Sequence, residues 1–443
     1  MKSYEGLPQP YQVFQRNRPN SGQIYFKCKE PLRVSLLKGS EVVVPWKKTS
    51  TGLSNIPVGG PYTLLVDVGD GFAEEIPGLM IGDLWVLAGQ SNMDGCGKLM
   101  NLEPPSQQVH CFYYTEKWGI AKDPICRLLD SIDPVHWPAD VQDIQAARAY
   151  DYKFREIGAS LGVRFGKEIV KATGVPIGLI VCSHGGTSIE QWDPSLKKEG
   201  GRSLYGSMLR RVRACGGRVA GVLWYQGESN AVPATAGTYK AKMRAFIETV
   251  RQDFGAPSLP FLQVQISRFF GGLEFFTPDT WNLIQQVQLE LAQEMKNVGI
   301  VSAIDSTLDD IIHIDTESLK RVGTRLAELA LAMVYGKKTP RNGLMPATVE
   351  VDPKDRRVVR IVFKNVRGKL MPPKGVLGLY VENSTGERIA ILDARAEDQR
   401  VTLVLEKAVD RGAKLWYGRG FNPRTNLRDA QFAAPVFGPV VLD

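Results

Sequence analysis

The chain has 443 residues, 43% of them hydrophobic and 23% charged, an ordinary globular composition with room for roughly two or three domains. Its net charge of +8 comes from 55 Lys and Arg residues scattered without a run or stripe, which argues against the clustered basic face of a nucleic-acid binder. No apolar stretch is long enough to span a bilayer, and MKSYEGLPQPYQVFQRN lacks the apolar core of a signal peptide. The expectation is a soluble protein, periplasmic or secreted if a leader was removed and otherwise cytoplasmic.

Residues 1–80 read as short strands, QIYFKC, LRVSLL, EVVVPW and PYTLLVDV, separated by the turn formers Asn20-Ser21-Gly22, Gly59-Gly60-Pro61 and Gly69-Asp70-Gly71. This pattern predicts a small N-terminal β-sandwich-like module. From 81 to 337 the pattern alternates between strand and helix. DLWVLA, IGLIVCS, VAGVLWY, FLQVQI and GIVSAI are apolar runs that suit strands buried on both faces. Between them Ile157, Leu161, Phe165 and Ile169 recur every four residues, and Leu319, Val322, Leu326, Leu329 and Met333 build a second helical stripe. Strands alternating with helices predict an α/β fold, a doubly wound parallel sheet of about five strands. After Lys337-Lys338-Thr339-Pro340 the runs VVRIVFKNV, GVLGLYVEN, VTLVLEK and KLWYGRG predict a C-terminal β module over 338–443. The segment from about 94 to 155 has weak periodicity, as functional loops often do. Among the six cysteines, Cys96, Cys111 and Cys126 lie near enough in sequence to bridge in an oxidising compartment, although buried free thiols are the commoner outcome.

In open α/β sheets, ligands gather beyond the carboxyl ends of the strands. Here those ends carry Gly89-Gln90-Ser91-Asn92-Met93, Ser183-His184-Gly185-Gly186-Thr187, Gln226-Gly227-Glu228-Ser229-Asn230 and the stretch Asp305 to His313. Acyl transfer needs a hydroxyl nucleophile, a base, a group that orients the base, and donors for the oxyanion. Of the four histidines, His110, His136, His184 and His313, the last follows Asp310 by three residues, so one turn can present both side chains. Asp309 and Asp305 compete with Asp310 for the orienting role. Gly185 and Gly186 leave room for backbone N–H groups to approach a developing charge. Ser91 lacks the trailing glycine of G-x-S-x-G, which argues against an α/β-hydrolase elbow. The histidines have no short-range ligand pairing and no H-E-x-x-H or Cys cluster occurs, so a metal site is not expected.

The blocks IGDLWVLAGQSNMDG, VPIGLIVCSHGGTSIEQW, GVLWYQGESNA and DDIIHIDTESLKRVGTRLAELAL, with GGPYTLLVDV before them and LWYGRGFNPRTNLRDAQFAAPVFGP at the end, resemble the SGNH hydrolases. Within that superfamily the chain is similar to the sialate O-acetylesterase-like branch of carbohydrate esterases. The resemblance implies a flavodoxin-like catalytic domain over 81–337, flanked by the two β modules. It also implies Ser91 as nucleophile, Asp310 as triad acid and His313 as base, without metal or cofactor. The oxyanion donors would come from Ser91, Gly186 or Gly185, and Gln226, with Glu228 and Asn230 close enough to confuse the register of the third block. The chain departs from the family at Ile314-Asp315, where relatives often have proline after the histidine. It departs again at His184, where an aromatic residue is common, and at Gln226, where the wider superfamily has asparagine.

The expected reaction is removal of O-acetyl groups from a carbohydrate through an acetyl-enzyme on Ser91. Gln90, His184, Trp192, Glu228, Asn230 and Asp315 are candidates for substrate contact. Trp192 and Trp224 read first as packing residues, with Trp192 the better sugar platform, and Glu228 reads as a buried network carboxylate. The alternatives are deacetylation of xylan or another plant or algal polysaccharide, and a carbohydrate-binding protein on an inactive hydrolase core. An acetylated carbohydrate is the only partner expected, with no nucleic acid and no membrane.

Overall fold

The computed structural model describes residues 6–69, 72–138 and 141–443. Asp70 and Gly71 of the third expected turn lie outside the described residues. The chain divides into two compact units. The first comprises Met1–Gly185, Trp192–Leu223 and Val250–Leu259, and the second Gly186–Gln191, Trp224–Thr249 and Pro260–Asp443. The architecture is α/β, with mixed sheet content and additional β modules.

In the first unit, alternation of apolar and polar residues drives the early strands. Strand Gly59–Gly69 buries Tyr62, Leu64 and Val66, and strand Leu32–Lys38 buries Val34 and Leu36 against them. With Ile24, Phe26, Leu53 and Leu79 these side chains form one apolar cluster, each contributing about 1.5–3 kcal/mol by leaving water. The Gly59-Gly60-Pro61 triplet, expected as a turn, opens strand Gly59–Gly69 instead, with register shifts where it meets the next strand.

That next strand, Phe72–Gly89, is 18 residues long. Its first half pairs antiparallel with Gly59–Gly69, and Met80–Gly82 also pairs parallel with Val13–Gln15. Its second half runs parallel to Ile177–Val181, in register from Asp83↔Ile177 to Leu87↔Val181. Residue 80 therefore lies inside an uninterrupted strand. Strand Val109–Phe112 continues the parallel arrangement beside Ile177–Val181, and Trp118–Ile120 closes that edge antiparallel. Ile177–Val181 is buried throughout, as a strand covered on both faces must be.

The helix expected from Ile157 onward begins only at Gly162 and runs to Thr173, while Ile157 belongs to the short strand Ile157–Ala159. Gly158 explains the difference. Its φ of +144° is not helical, and a side chain there would sit 2.6 Å from Pro124. Leu161, Phe165 and Ile169 are nevertheless fully buried, as the periodicity predicted.

In the second unit, Phe261–Gln265 and Val298–Ser302 pair parallel, and every residue of both is buried. Helix Pro278–Glu294 starts on a Thr277 cap with proline in its first turn. Helix Thr316–Met333 buries Leu319, Val322, Leu326 and Leu329 on one face. The C-terminal region contains more strands than the sequence pattern suggested. Met345–Val351, Val358–Lys364, Arg400–Leu405 and Ile391–Glu397 make one four-stranded antiparallel sheet. Arg388–Ile389, Leu379–Glu382, Ala413–Tyr417 and Phe437–Leu442 make another.

Among the described residues no helix is long and apolar enough to cross a membrane. All six cysteines are free thiols, four of them buried (Cys111, Cys126, Cys182 and Cys215).

Candidate active site

In the first unit, strand Phe72–Gly89 ends in extended backbone at Gln90, and Ser91 opens a single helical turn, Ser91–Asp94. Asn92, Met93 and Asp94 are buried, whereas Ser91 is partly exposed, so the turn directs its hydroxyl-bearing residue outward. Gln90 is buried, 3% exposed.

Asp94 is an unexpected member of this turn. Burial pushes its carboxyl up to about 7, opposed by hydrogen bonds from the Ser183 side chain and the Gly185 backbone and by the charge of Arg155. One carboxyl oxygen, Oδ1, has no hydrogen-bond partner. Gly185, expected as an alternative to Gly186 among the oxyanion donors, packs closely against the Ser91 turn. The fit is close: a side chain on Gly185 would lie 3.2 Å from Asp94 Oδ2 and 3.6 Å from Ser91 Cβ. Gly186 differs, with a left-handed φ of +70° and open space where a side chain would project. His184 is anchored by its N–H to the Gly89 carbonyl at 2.9 Å, and its ring meets His136, with Nδ1 atoms 3.1 Å apart. His136 was not singled out from the sequence, because it lies in the weakly periodic stretch after Asp94.

In the second unit, the loop after strand Val298–Ser302 brings Asp310 onto His313. Asp310 Oδ2 lies 2.6 Å from His313 Nδ1, while Oδ1 accepts the backbone N–H groups of Ile312 at 2.8 Å and His313 at 2.7 Å. Partial burial raises the Asp310 carboxyl, but those two N–H groups and the His313 ring outweigh it and hold the group below its ordinary range. An ionised carboxylate on Nδ1 fixes the proton there and leaves Nε2 as the basic atom. Of the competing carboxylates, that of Asp305 is engaged elsewhere. Asp305 makes a bidentate pair with Arg325, both contacts at 2.7 Å. Asp309 N–H donates to the His313 carbonyl at 2.8 Å, which tightens the same turn.

Other expected site residues have structural roles. Gln226 is fully buried, and its Nε2 donates to Thr187 O at 3.2 Å and Asn230 Oδ1 at 2.8 Å. Both amide protons are thus used within the unit, and Tyr239 Oη donates to Oε1 at 3.0 Å, so the amide is not available to an oxyanion. Asn230, also fully buried, accepts from Ile189 N and donates from Nδ2 to Glu190 Oε2, both at 2.8 Å. Glu228 is buried. Asp315 caps helix Thr316–Met333 by accepting from Ser318 N at 2.7 Å, a demand the helix terminus makes irrespective of substrate. Trp192 and Trp224 are fully buried, which removes Trp192 as a sugar platform and makes both core residues. Among the described residues no cluster of three or more His, Cys, Asp or Glu is placed to hold a metal ion.

Comparison with known proteins places these residues in a family context. A solved structure described as a novel carbohydrate acetylesterase from Xanthomonas citri superposes with a TM-score of 0.69, covering 97% of this chain and 98% of that one at 23% identity, and so shares the fold. A "probable carbohydrate esterase" of Arabidopsis thaliana is 30% identical over 266 residues, 56% of this chain and 90% of its own length. Human sialate O-acetylesterase is 29% identical over 245 residues, 48% of this chain and 43% of its own, so the chain spans less than half of that relative. The family model described as carbohydrate esterase, sialic acid-specific acetylesterase matches residues 81–332. From the Ser91 turn through the Asp310–His313 loop and most of the helix after it, the chain belongs to the family of carbohydrate esterases of the sialic acid-specific acetylesterase type.

Proposed function

We propose that this protein is a serine carbohydrate O-acetylesterase that works through an acetyl-enzyme on Ser91. His313 Nε2 takes the Ser91 proton as the hydroxyl oxygen attacks the acetyl carbonyl carbon. The tetrahedral oxyanion is met by the backbone N–H groups of Ser91 and of Gly186 or Gly185. His313 then returns the proton to the departing sugar oxygen, and water, deprotonated by the same histidine, releases acetate. The observation that carries this reading is the 2.6 Å contact from Asp310 to His313 Nδ1, which gives the base the tautomer the reaction needs. Consistent with this, residues 81–337 would form the catalytic domain, a flavodoxin-like doubly wound sheet of about five parallel strands, between β modules at 1–80 and 338–443.

Acetate release from acetylated sialic acid, xylan and pectin fragments tests the reaction and ranks substrates. Ser91→Ala is expected to lower kcat by about 10⁴-fold or more on every substrate hydrolysed. Unchanged release by Ser91→Ala refutes the mechanism. Binding of the glycans without acetate release by the unaltered protein favours an inactive hydrolase core.

A further inference from the structure

In the second unit, the loop between strand Phe261–Gln265 and helix Pro278–Glu294 holds two adjacent phenylalanines with opposite fates. Phe269 is fully buried. Its ring stacks on Trp281 at 5.1 Å and meets Phe276 and Phe421 edge-on, each also at 5.1 Å. Its N–H donates to the Phe421 carbonyl at 2.8 Å. Phe270, by contrast, is 58% exposed, although burial ordinarily stabilises a phenylalanine ring. The anchor explains the exposure. With Phe269 fixed through both ring and backbone, the next side chain is left at the surface. Gly271 and Gly272 follow with φ of +90° and +91°, and bend the chain directly after it.

The Phe270 backbone joins this loop to the turn that carries the base. Its N–H donates to the Ile311 carbonyl at 2.9 Å, and Ile311, 42% exposed, lies between Asp310 and His313. By standard backbone dimensions the Phe270 Cα is at most about 14 Å from the His313 Cα, so a sugar held at the His313 ring is within reach of the Phe270 ring. A lone exposed apolar side chain needs no explanation. Two of them on the strip of backbone that holds the base mark a place for a ligand with an apolar face. The substrate of a carbohydrate esterase has such a face. The C–H groups of a pyranose ring carry slight positive charge and pack on the negative face of an aromatic ring, while the hydroxyls stay in water. Trp192, the residue type best suited to this contact, lies in the core instead.

We propose that Phe270 is a specificity-determining residue, the platform on which the pyranose ring of the departing sugar stacks. This role rests on the esterase reading of Ser91 and His313. The backbone of the platform is set before substrate arrives, by the Phe269 anchor on one side and the Ile311 carbonyl on the other, so the contact costs little ordering. It acts on binding and not on bond breaking. The ring meets the sugar equally in the bound substrate and in the transition state, so its loss is felt in KM more than in kcat. An acetyl ester without a sugar ring gains little from it.

The test has two independent arms. In the first, kcat and KM are measured on an acetylated methyl pyranoside and on monoacetylglycerol, an acyclic acetyl ester. Phe270→Ala should raise KM for the pyranoside about 3–10-fold more than KM for monoacetylglycerol, the range of one aromatic contact, while kcat changes less than KM. Phe270→Tyr should restore the pyranoside KM, and Phe270→Leu, apolar but without a π face, only part of it. The second arm reads the contact without catalysis, by saturation-transfer NMR with the deacetylated methyl pyranoside. The C–H protons of the sugar ring should receive magnetisation from aromatic protons of the unaltered protein and of Ser91→Ala, and should lose most of it with Phe270→Ala. Melting curves and fluorophosphonate labelling of Ser91 verify that each Phe270 variant is folded. Equal saturation transfer with and without the Phe270 ring, or a KM that stays the same or rises alike for both esters, overturns the platform. Acetate release that survives Ser91→Ala overturns the esterase reading instead, and the sugar contact then stands or falls on the NMR result.

Discussion

Asp310 does two jobs with one carboxylate, since Oδ1 closes the turn through two backbone N–H groups and Oδ2 holds the histidine. Asp310→Asn retains the size of the group but loses the charge and offers an N–H where His313 needs an acceptor. The expected result is a fall in kcat on the order of 10²–10⁴-fold with little change in KM, read from acetate release. Asp94 gives a stability prediction of opposite character. Its folded-state carboxyl titrates near 7, above its ordinary value of 3.8, so the folded protein keeps a proton that the unfolded chain gives up. Its contribution is present at acid pH, is lost as pH rises from about 4 to about 7, and changes little beyond that. Asp94→Asn should flatten this part of the pH dependence in urea titrations at pH 4.5 and 7.5. Equal slopes for the two proteins would count against it. The Asp310–His313 pair was legible in the sequence because its partners are three residues apart. The Ser207–Asp133 bond spans 74 positions, and no local pattern announces it. Trp192, read first as a packing residue, is fully buried, whereas for Gln226 residue type suggested an oxyanion donor and burial with its hydrogen bonds commits the amide elsewhere.

At the level of elements, the buried parallel strands were readable from their continuous apolar runs, and helix Thr316–Met333 from its stripe. The start of helix Gly162–Thr173 was not, because the period of four extended past Gly158 into residues that the backbone there cannot place in a helix. The C-terminal strands Met345–Val351 and Ile391–Glu397 escaped notice for another reason. Several of their residues are exposed or only partly buried, so their apolar signal is weak. Asp315, a candidate substrate contact in the sequence and a helix cap in the structure, supplies a direct test. Asp315→Ala should cost about 0.5–2 kcal/mol in chemical denaturation, and Asp315→Ser should recover most of it. A change in sugar preference with unaltered stability would instead favour the substrate role.

For the whole molecule, cysteine chemistry is the most accessible property. Burial raises the thiols of Cys111, Cys126, Cys182 and Cys215, that of Cys182 to about 11, and makes them poor nucleophiles. Cys28 and Cys96 are only partly buried. A thiol reagent at pH 8 should therefore modify Cys28 and Cys96 in the native protein and all six cysteines in denaturant. Rapid native labelling of Cys182 would contradict this.

Strand Phe72–Gly89 also has a consequence for the order in which the protein is made. When Gly89 leaves the ribosome, the antiparallel partner of the strand's first half, Gly59–Gly69, has already been synthesised. The parallel partner of its second half, Ile177–Val181, has not. At ordinary elongation speeds the ribosome needs about 5–20 s to reach it. During that interval the strand is anchored at one end only, and the Ser91 turn at the other end waits for a neighbour encoded far downstream. Pausing of translation before Val181 should lengthen the life of this half-paired nascent chain, which makes that stretch of message a place where synthesis rate and recovery of folded enzyme are coupled.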